Sequence, residues 1–461
     1  MNRSRPCVLI YNPVSGHGHL DSWNALFVSL LLERGYRILV LTPDRKALES
    51  RLAQRKLDDH PMLHVLDWDA PRVQLPKRQR IRKLWRWWLS YGKSYADQYP
   101  ESRITPGMHA RTRFKKQIFQ IIVPPLYKLS HALQSLFLQG ASTQRDDLHD
   151  PSETHYLEPI DMASRINAAL KKSPWHPSCL FNMYLDTYKT SAEAWRVFAS
   201  MCRLPWGGIR FAPTDPPPHE GYYALSTLGG VCFLNEATCR DYSASLSGKY
   251  FQYLPEITNV GLPDAPCFLA EEIAYRAAGR KIVFLGGTIV GKKNIAHWSE
   301  LIAQADARRW FFVQVGEIHG NTFSPADTAA FEGLVAHPPE NLFLHAQYLS
   351  DEREFNDIIR IADIIFAVYR DFPFSSNMLS KAAYFEKPIL VSDGCLMADR
   401  VRHYGIGLAV PYDDVRAMVC ALEQLAKDSV PPQNFAACRV TSDEQVTGDS
   451  LERFIQHVLA Q

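Results

Sequence analysis

No run of eighteen apolar residues occurs in this sequence, so no segment reads as a membrane-spanning helix. The apolar stretch of the opening MNRSRPCVLIYNP is too short for a secretory signal. None of the nine cysteines forms a CxxC pair, and their spacing is irregular. That argues against a zinc ribbon, a dithiol redox motif and a disulfide framework; reduced thiols in a cytoplasmic protein are expected. Charge of one sign is also lacking: 51 Lys and Arg face 49 Asp and Glu, so bulk charge selects no partner. Neither GxxxxGK[ST] nor GxGxxG is present, and no short period repeats.

What is present is alternation. At 461 residues the chain has room for two or three domains. CVLIY (7–11) reads as a buried strand, followed by the loop NPVSGHGHLDSW, a helix ending at Gly35, and the strand RILVLTPD. MLHVLDWD (62–69) reads as a third strand. The pattern resumes with SCLFNMYLD (178–186), AWRVFASMC, GIRFAP and GGVCFLNE. YLPEITNVGLPDAP (253–266) has no periodicity and reads as an interdomain linker. From Lys281 a second unit follows: KIVFLGG, helix NIAHWSELIAQ, WFFVQVG, NLFLHAQYL, helix DEREFNDIIRIA, DIIFAVY, helix NMLSKAAYFE, PILVSD, GLAVPY and a helix at 413–427. The expected class is α/β, with two Rossmann-like domains: 1–265, carrying an insertion at about 76–150, and 266–445. A terminal helix, 446–461, has the option of crossing back to the first domain.

The insertion departs from the bulk composition. Between Lys77 and Lys128 thirteen Lys and Arg stand against Asp97 and Glu101, a local charge of +11. Ile81, Leu84, Trp85, Trp88 and Leu89 follow helical spacing and form one apolar stripe, with Arg82 beside it. A basic helix with a tryptophan face suits an anionic membrane surface or a membrane-held acceptor. The same composition also serves a helix packed on its own domain, or binds nucleic acid, a use the rest of the sequence does not favour.

FLGGTIVGKKNIAHW (284–298) joins a strand, a glycine loop with two lysines and a helix start, an arrangement that suits an anion. GGTIVGKKNI resembles the phosphate-site loop of GT-B glycosyltransferases, in particular the family 4 group. NLFLHAQYLSDEREFNDIIRIADIIFAVY, SSNMLSKAAYFEKPILVSDG and GIGLAVPYDDVRAMVCALEQL resemble that group's following blocks in order and spacing. The resemblance covers about 281–427 and, more loosely, 7–44. It implies a GT-B fold with two Rossmann-like domains across a cleft. The donor would be a nucleotide sugar, UDP- or GDP-linked, with no cofactor and no bound metal. The acceptor would be lipid-linked or a surface glycan at the cytosolic membrane face. Two glutamates common in the group are absent; their positions hold Pro373 and Lys381.

On that basis Gly16, Gly18, Gly287, Thr288, Lys293, Ser375, Ser376 and Asn377 are expected at the donor phosphates. Gly316, Tyr348, Leu349 and Lys381 are expected along the nucleotide, and Arg82, Trp85 and Trp88 at a membrane or acceptor. His19 and Asp186 are the candidates for catalysis; a histidine titrates near neutrality, and Asp186 ends a strand near the cleft. Either could instead cap a helix or turn, and Glu236 is placed like Asp186. Asp67-Trp68-Asp69 matches a DxD metal motif only superficially. YNPVSGHG resembles the opening of diacylglycerol kinases, but their GGDGT block is missing. A GT-B-like scaffold without transfer, and a nucleic-acid-directed glycosyltransferase, are the remaining alternatives.

Overall fold

Apolar runs without polar interruption become parallel strands covered on both faces. In the computed structural model, which describes residues 5–15, 20–68, 157–188, 192–214, 221–349, 351–441 and 443–461, these runs build two sheets. β1 (Cys7–Tyr11), β2 (Arg37–Thr42), β3 (Leu63–Asp67), β4 (Cys179–Asn182), β5 (Trp206–Ile209), β6 (Leu228–Phe233) and β7 (Tyr250–Tyr253) form the first, in the order β3-β2-β1-β4-β5-β6-β7. β8 (Lys281–Gly286), β9 (Trp310–Val315), β10 (Leu342–His345), β11 (Ile364–Ala367), β12 (Ile389–Ser392) and β13 (Gly407–Val410) form the second, in the order β10-β9-β8-β11-β12-β13. Every pairing is parallel. In each sheet the winding direction reverses once, between β1 and β4 and between β8 and β11. Such switch points open a crevice beyond the strand ends.

Three details differ from the sequence reading. The strand expected over 178–186 stops at Asn182, whose side chain accepts from Tyr184 N at 2.8 Å and turns the chain. The strand expected in GIRFAP lies earlier, at Trp206–Ile209, because the amides of Phe211 and Ala212 bond Asp186 instead of a neighbouring strand. YFQY, unmarked by alternation, adds β7 to the edge of the first sheet, and the connecting segment 254–267 then carries no helix or strand.

The helix Glu444–Leu459 packs on the first sheet, far from its neighbours in sequence. Leu451, Phe454, Ile455 and Val458, at helical spacing, join a core with Val8, Ile10, Phe27 and Phe181. Sheet and helix approach so closely that a Cβ on Gly207 would lie 2.6 Å from the Phe454 ring. Gly16, Gly18, His19 and the stretch with Arg82, Trp85 and Trp88 lie outside the described residues. Among the described residues no helix is long and apolar enough to cross a membrane.

Candidate functional site

A cavity of about 900 Å³ opens between the carboxyl ends of the two sheets. Of the residues expected at the site, the eleven that are described all line it: Asp186, Gly287, Thr288, Lys293, Gly316, Tyr348, Leu349, Ser375, Ser376, Asn377 and Lys381. Ten of them come together because the loops after β8, β9, β10 and β11 leave the same edge of the second sheet, and Asp186 follows β4 of the first.

The centre of the site is the loop between β8 and the helix Ile295–Gln304. Lys293 is 6% exposed, and its Nζ donates to Gly286 O at 2.9 Å and to Tyr369 Oη at 2.8 Å. No carboxylate offsets its burial, which lowers its pKa to about 7. Lys292 keeps an exposed side chain 4.2 Å from the Phe372 ring centroid; partial desolvation by the crevice walls, and then the neighbouring Lys293, lower its pKa to about 8. Two lysines held without a counter-ion in a concave site are prepared for an anion. The loop itself is braced from behind. Arg370 Nη2 donates to Gly291 O at 3.0 Å and to the buried Asp327 at 2.7 Å, and Asp327 also accepts from Ala296 N at 3.0 Å. Gly316, with φ +146°, abuts the loop from the end of β9: a Cβ there would lie 1.9 Å from Gly287 O.

Across the crevice the helix Asn377–Tyr384 begins. Ser376 caps it, its side chain accepting from Met378 N. The helix N-terminus lines the same cavity as Lys292 and Lys293, so the partial positive charge of its first turn adds to theirs.

Lys381 has turned away from a ligand. It is fully buried, and its Nζ donates to Glu352 at 3.0 Å, to Asn356 Oδ1 at 2.5 Å and to Asn259 O at 2.8 Å. Three acceptors take up all three protons, so the expected contact to the nucleotide is replaced by an internal one. Burial lowers its pKa, and Glu352 opposes that. Glu352 reaches the helices beside the first sheet: Ser22 Oγ, in Leu20–Glu33, donates to its Oε2, and Arg51 Nη1, in Arg45–Gln54, donates to Ser22 Oγ at 2.8 Å. Burial works against the charge of Glu352, yet Lys381 and then Ser22 hold its carboxyl below the usual range.

Asp186 also differs from its expected role. It sits on the turn Leu185–Thr187, and its two oxygens accept from Phe211 N and Ala212 N, each at 2.8 Å, with Arg210 Nε 3.8 Å away. Burial raises its pKa, and the two amides oppose the rise. Each oxygen gives one acceptor site to the loop after β5, so the carboxylate buckles that loop at the wall of the cavity. Glu236 opens a helix capped by Asn235 and lines a second, smaller cavity. Asp67 accepts from Arg45 N at 2.8 Å at the start of the helix Arg45–Gln54, so it serves that turn. Among the described residues no group of three His, Cys, Asp or Glu is arranged around a common point as metal ligands would be.

Several residues of the site carried no signal in the sequence. Ser22, Arg51, Glu256, Glu352 and Tyr369 all line the cavity, and each is placed there by tertiary contacts alone.

No protein-family model matches the chain, and no curated protein matches it in sequence. Solved structures do. Sucrose-phosphate synthase from Thermosynechococcus elongatus superposes with TM-score 0.59 at 11% identity, covering 99% of this chain and 100% of the other. The two-sheet architecture is the GT-B fold. HepE of Anabaena, solved in complex with UDP and glucose, gives TM-score 0.59 at 8% identity over 98% of this chain and 100% of its own. An α,α-trehalose-phosphate synthase (UDP-forming) from Burkholderia vietnamiensis gives 0.56 at 13% identity, covering 100% of this chain and 98% of that one. At these identities the GT-B likeness is one of backbone architecture.

Proposed function

We propose that the protein is a glycosyltransferase that takes a sugar from a nucleoside-diphosphate sugar. The observation that carries the reading is the pair Lys293, buried, and Lys292, exposed in the crevice, both without a carboxylate partner, lining one cavity with a capped helix N-terminus at the switch point of a GT-B fold. As the bond from the anomeric carbon to the diphosphate lengthens, negative charge grows on the leaving phosphate. Fixed positive groups in a site sheltered from water stabilise that charge more than the ground state. Lys293, Lys292 and the first turn of Asn377–Tyr384 are such groups. The two-sided cavity leaves the first sheet's loops to present the acceptor.

UDP is the nucleotide favoured by the comparisons, since HepE was solved with UDP and UDP-glucose. A lipid-linked or surface-glycan acceptor at the cytosolic face of a membrane draws its support from the sequence of the insertion, with Arg82, Trp85 and Trp88. A soluble sugar or sugar phosphate is the alternative, as the names of two neighbours suggest. Titration calorimetry with UDP and GDP, followed by nucleotide release from a panel of UDP- and GDP-sugars, tests the donor half. Absence of binding to every nucleotide sinks the reading. Flotation with vesicles containing anionic lipid, compared with neutral vesicles and repeated at high salt, tests the membrane-held acceptor.

A scaffold without transfer is favoured by one observation, the closure of the Lys381 position by Glu352. The two readings part at turnover: a scaffold binds the nucleotide sugar and releases no nucleotide.

A further inference from the structure

Glu256 stands in the connecting segment three residues beyond β7, in a sequence context that marks nothing. It is 4% exposed and lines the cavity beside Ser375 and Ser376. Ser375 Oγ donates to its Oε2 and itself accepts from Arg400 Nη1 at 2.8 Å. Arg400 Nη2 is anchored on Leu234 O at 2.7 Å, and Ser380 Oγ donates to the backbone carbonyl of Glu256 at 3.2 Å. The carboxyl is therefore fixed from both sheets. The described hydrogen bonds leave its Oε1 without a protein partner. That oxygen is not enclosed by protein; it opens to the cavity, where it can accept from a ligand hydroxyl. Burial raises its pKa against Ser375 and Arg400, so it holds a proton more readily than an exposed glutamate.

Strand order says which part of a donor would meet it. Gly316, Tyr348 and Leu349 leave β9 and β10, on one side of β8; Ser375 leaves β11, on the other. With the diphosphate at the β8–β11 switch, the nucleoside extends towards β9 and β10. The transferred sugar then lies on the β11 side, where Glu256 and Ser375 meet. We propose that Glu256 is a specificity-determining residue for the sugar: its carboxyl bonds ring hydroxyls of a hexosyl donor. This inference rests on the transferase reading above.

The test measures Kd for UDP, UDP-glucose, UDP-galactose and UDP-N-acetylglucosamine on the wild type and on Glu256→Gln, with Tm as a check on folding. The expected result is at least a tenfold loss for the preferred UDP-sugar, UDP itself unchanged within twofold, and a flattened preference between glucose and galactose. If Glu256→Gln does not fold, Ser375→Ala removes the brace and keeps the carboxyl, and a smaller loss confined to the sugars is expected. Equal losses for UDP and UDP-sugars, or no loss, overturn the assignment alone. A wild type that binds no nucleotide overturns the transferase reading and this assignment with it.

Discussion

Lys381 Nζ and Glu352 Oε1 lie 3.0 Å apart, and through Glu352 the helix Glu352–Ile361 meets Ser22 of the helix Leu20–Glu33. Lys381 is 1% exposed at its side chain and Glu352 15%, so the pair is screened little by solvent. Removing one partner strands the other, and a loss of about 3–5 kcal/mol is expected for Lys381→Met. The double variant with Glu352→Gln recovers part of it. Lys381→Glu, which restores the carboxylate usual in the resembled family, sets two buried acids against each other and lowers stability further. Urea unfolding of these proteins and of Glu352→Gln alone checks this; additive losses in the double variant contradict it.

Lys293 makes the opposite trade. Its charge is buried without a counter-ion, so Lys293→Met leaves Tm unchanged or raises it. The same variant weakens UDP binding by about 1–3 kcal/mol, the value of a charge-assisted contact. Calorimetry and thermal unfolding on one preparation separate the two effects. A fall in Tm with unchanged UDP affinity would assign the lysine to the fold.

The low pKa of Lys293 has a sign that can be checked. The folded, ligand-free protein loses this proton near pH 7, whereas the unfolded chain keeps it up to the ordinary lysine value of 10.5. Between those limits the unfolded state binds more protons, so stability from this group rises with pH and is lowest below about 7. Lys292, at about 8, acts in the same direction. A bound diphosphate reverses the preference. Above pH 7 UDP binding takes up protons, and affinity falls by up to about tenfold per pH unit for each proton taken up. Calorimetry at pH 8 in buffers of differing ionisation enthalpy reads the uptake directly; none is expected for a site without these lysines.

Asp186→Ala removes the acceptor of the Phe211 and Ala212 amides, the first half-buried and the second exposed, and a loss of about 1–2 kcal/mol in stability is expected. Asp186→Asn keeps one acceptor and loses less. If Asp186 only holds the loop after β5, turnover of the Asn variant keeps the shape of the wild-type pH profile. Loss of one limb of that profile would restore it as a base.

The second sheet was readable from sequence because its strands are unbroken apolar runs, each followed by a loop and a periodic helix. Glu352 and Lys381 were not readable as a pair: 29 residues separate them, and only the packing of their helices brings them together. Glu256 lay in a segment without periodicity, where a functional side chain leaves no pattern. Asp186 was placed at the cavity, but its bonding to the loop after β5 was not readable. Asn182 ends the strand early, and the loop after β5 takes both oxygens.

The helix Glu444–Leu459 has a consequence for synthesis. Phe454 and Ile455 are core residues of a sheet whose first strand is Cys7–Tyr11. One face of that sheet therefore cannot close its core when its own strands emerge from the ribosome, whereas the core on the other face draws on none of the terminal helix. The helix-covered face waits for almost the whole chain, which at roughly 5–20 residues per second is tens of seconds. The second sheet, whose core draws on residues 270–438, finishes first although it begins later. A nascent chain stopped before residue 444 is expected to show protease resistance in the second half alone.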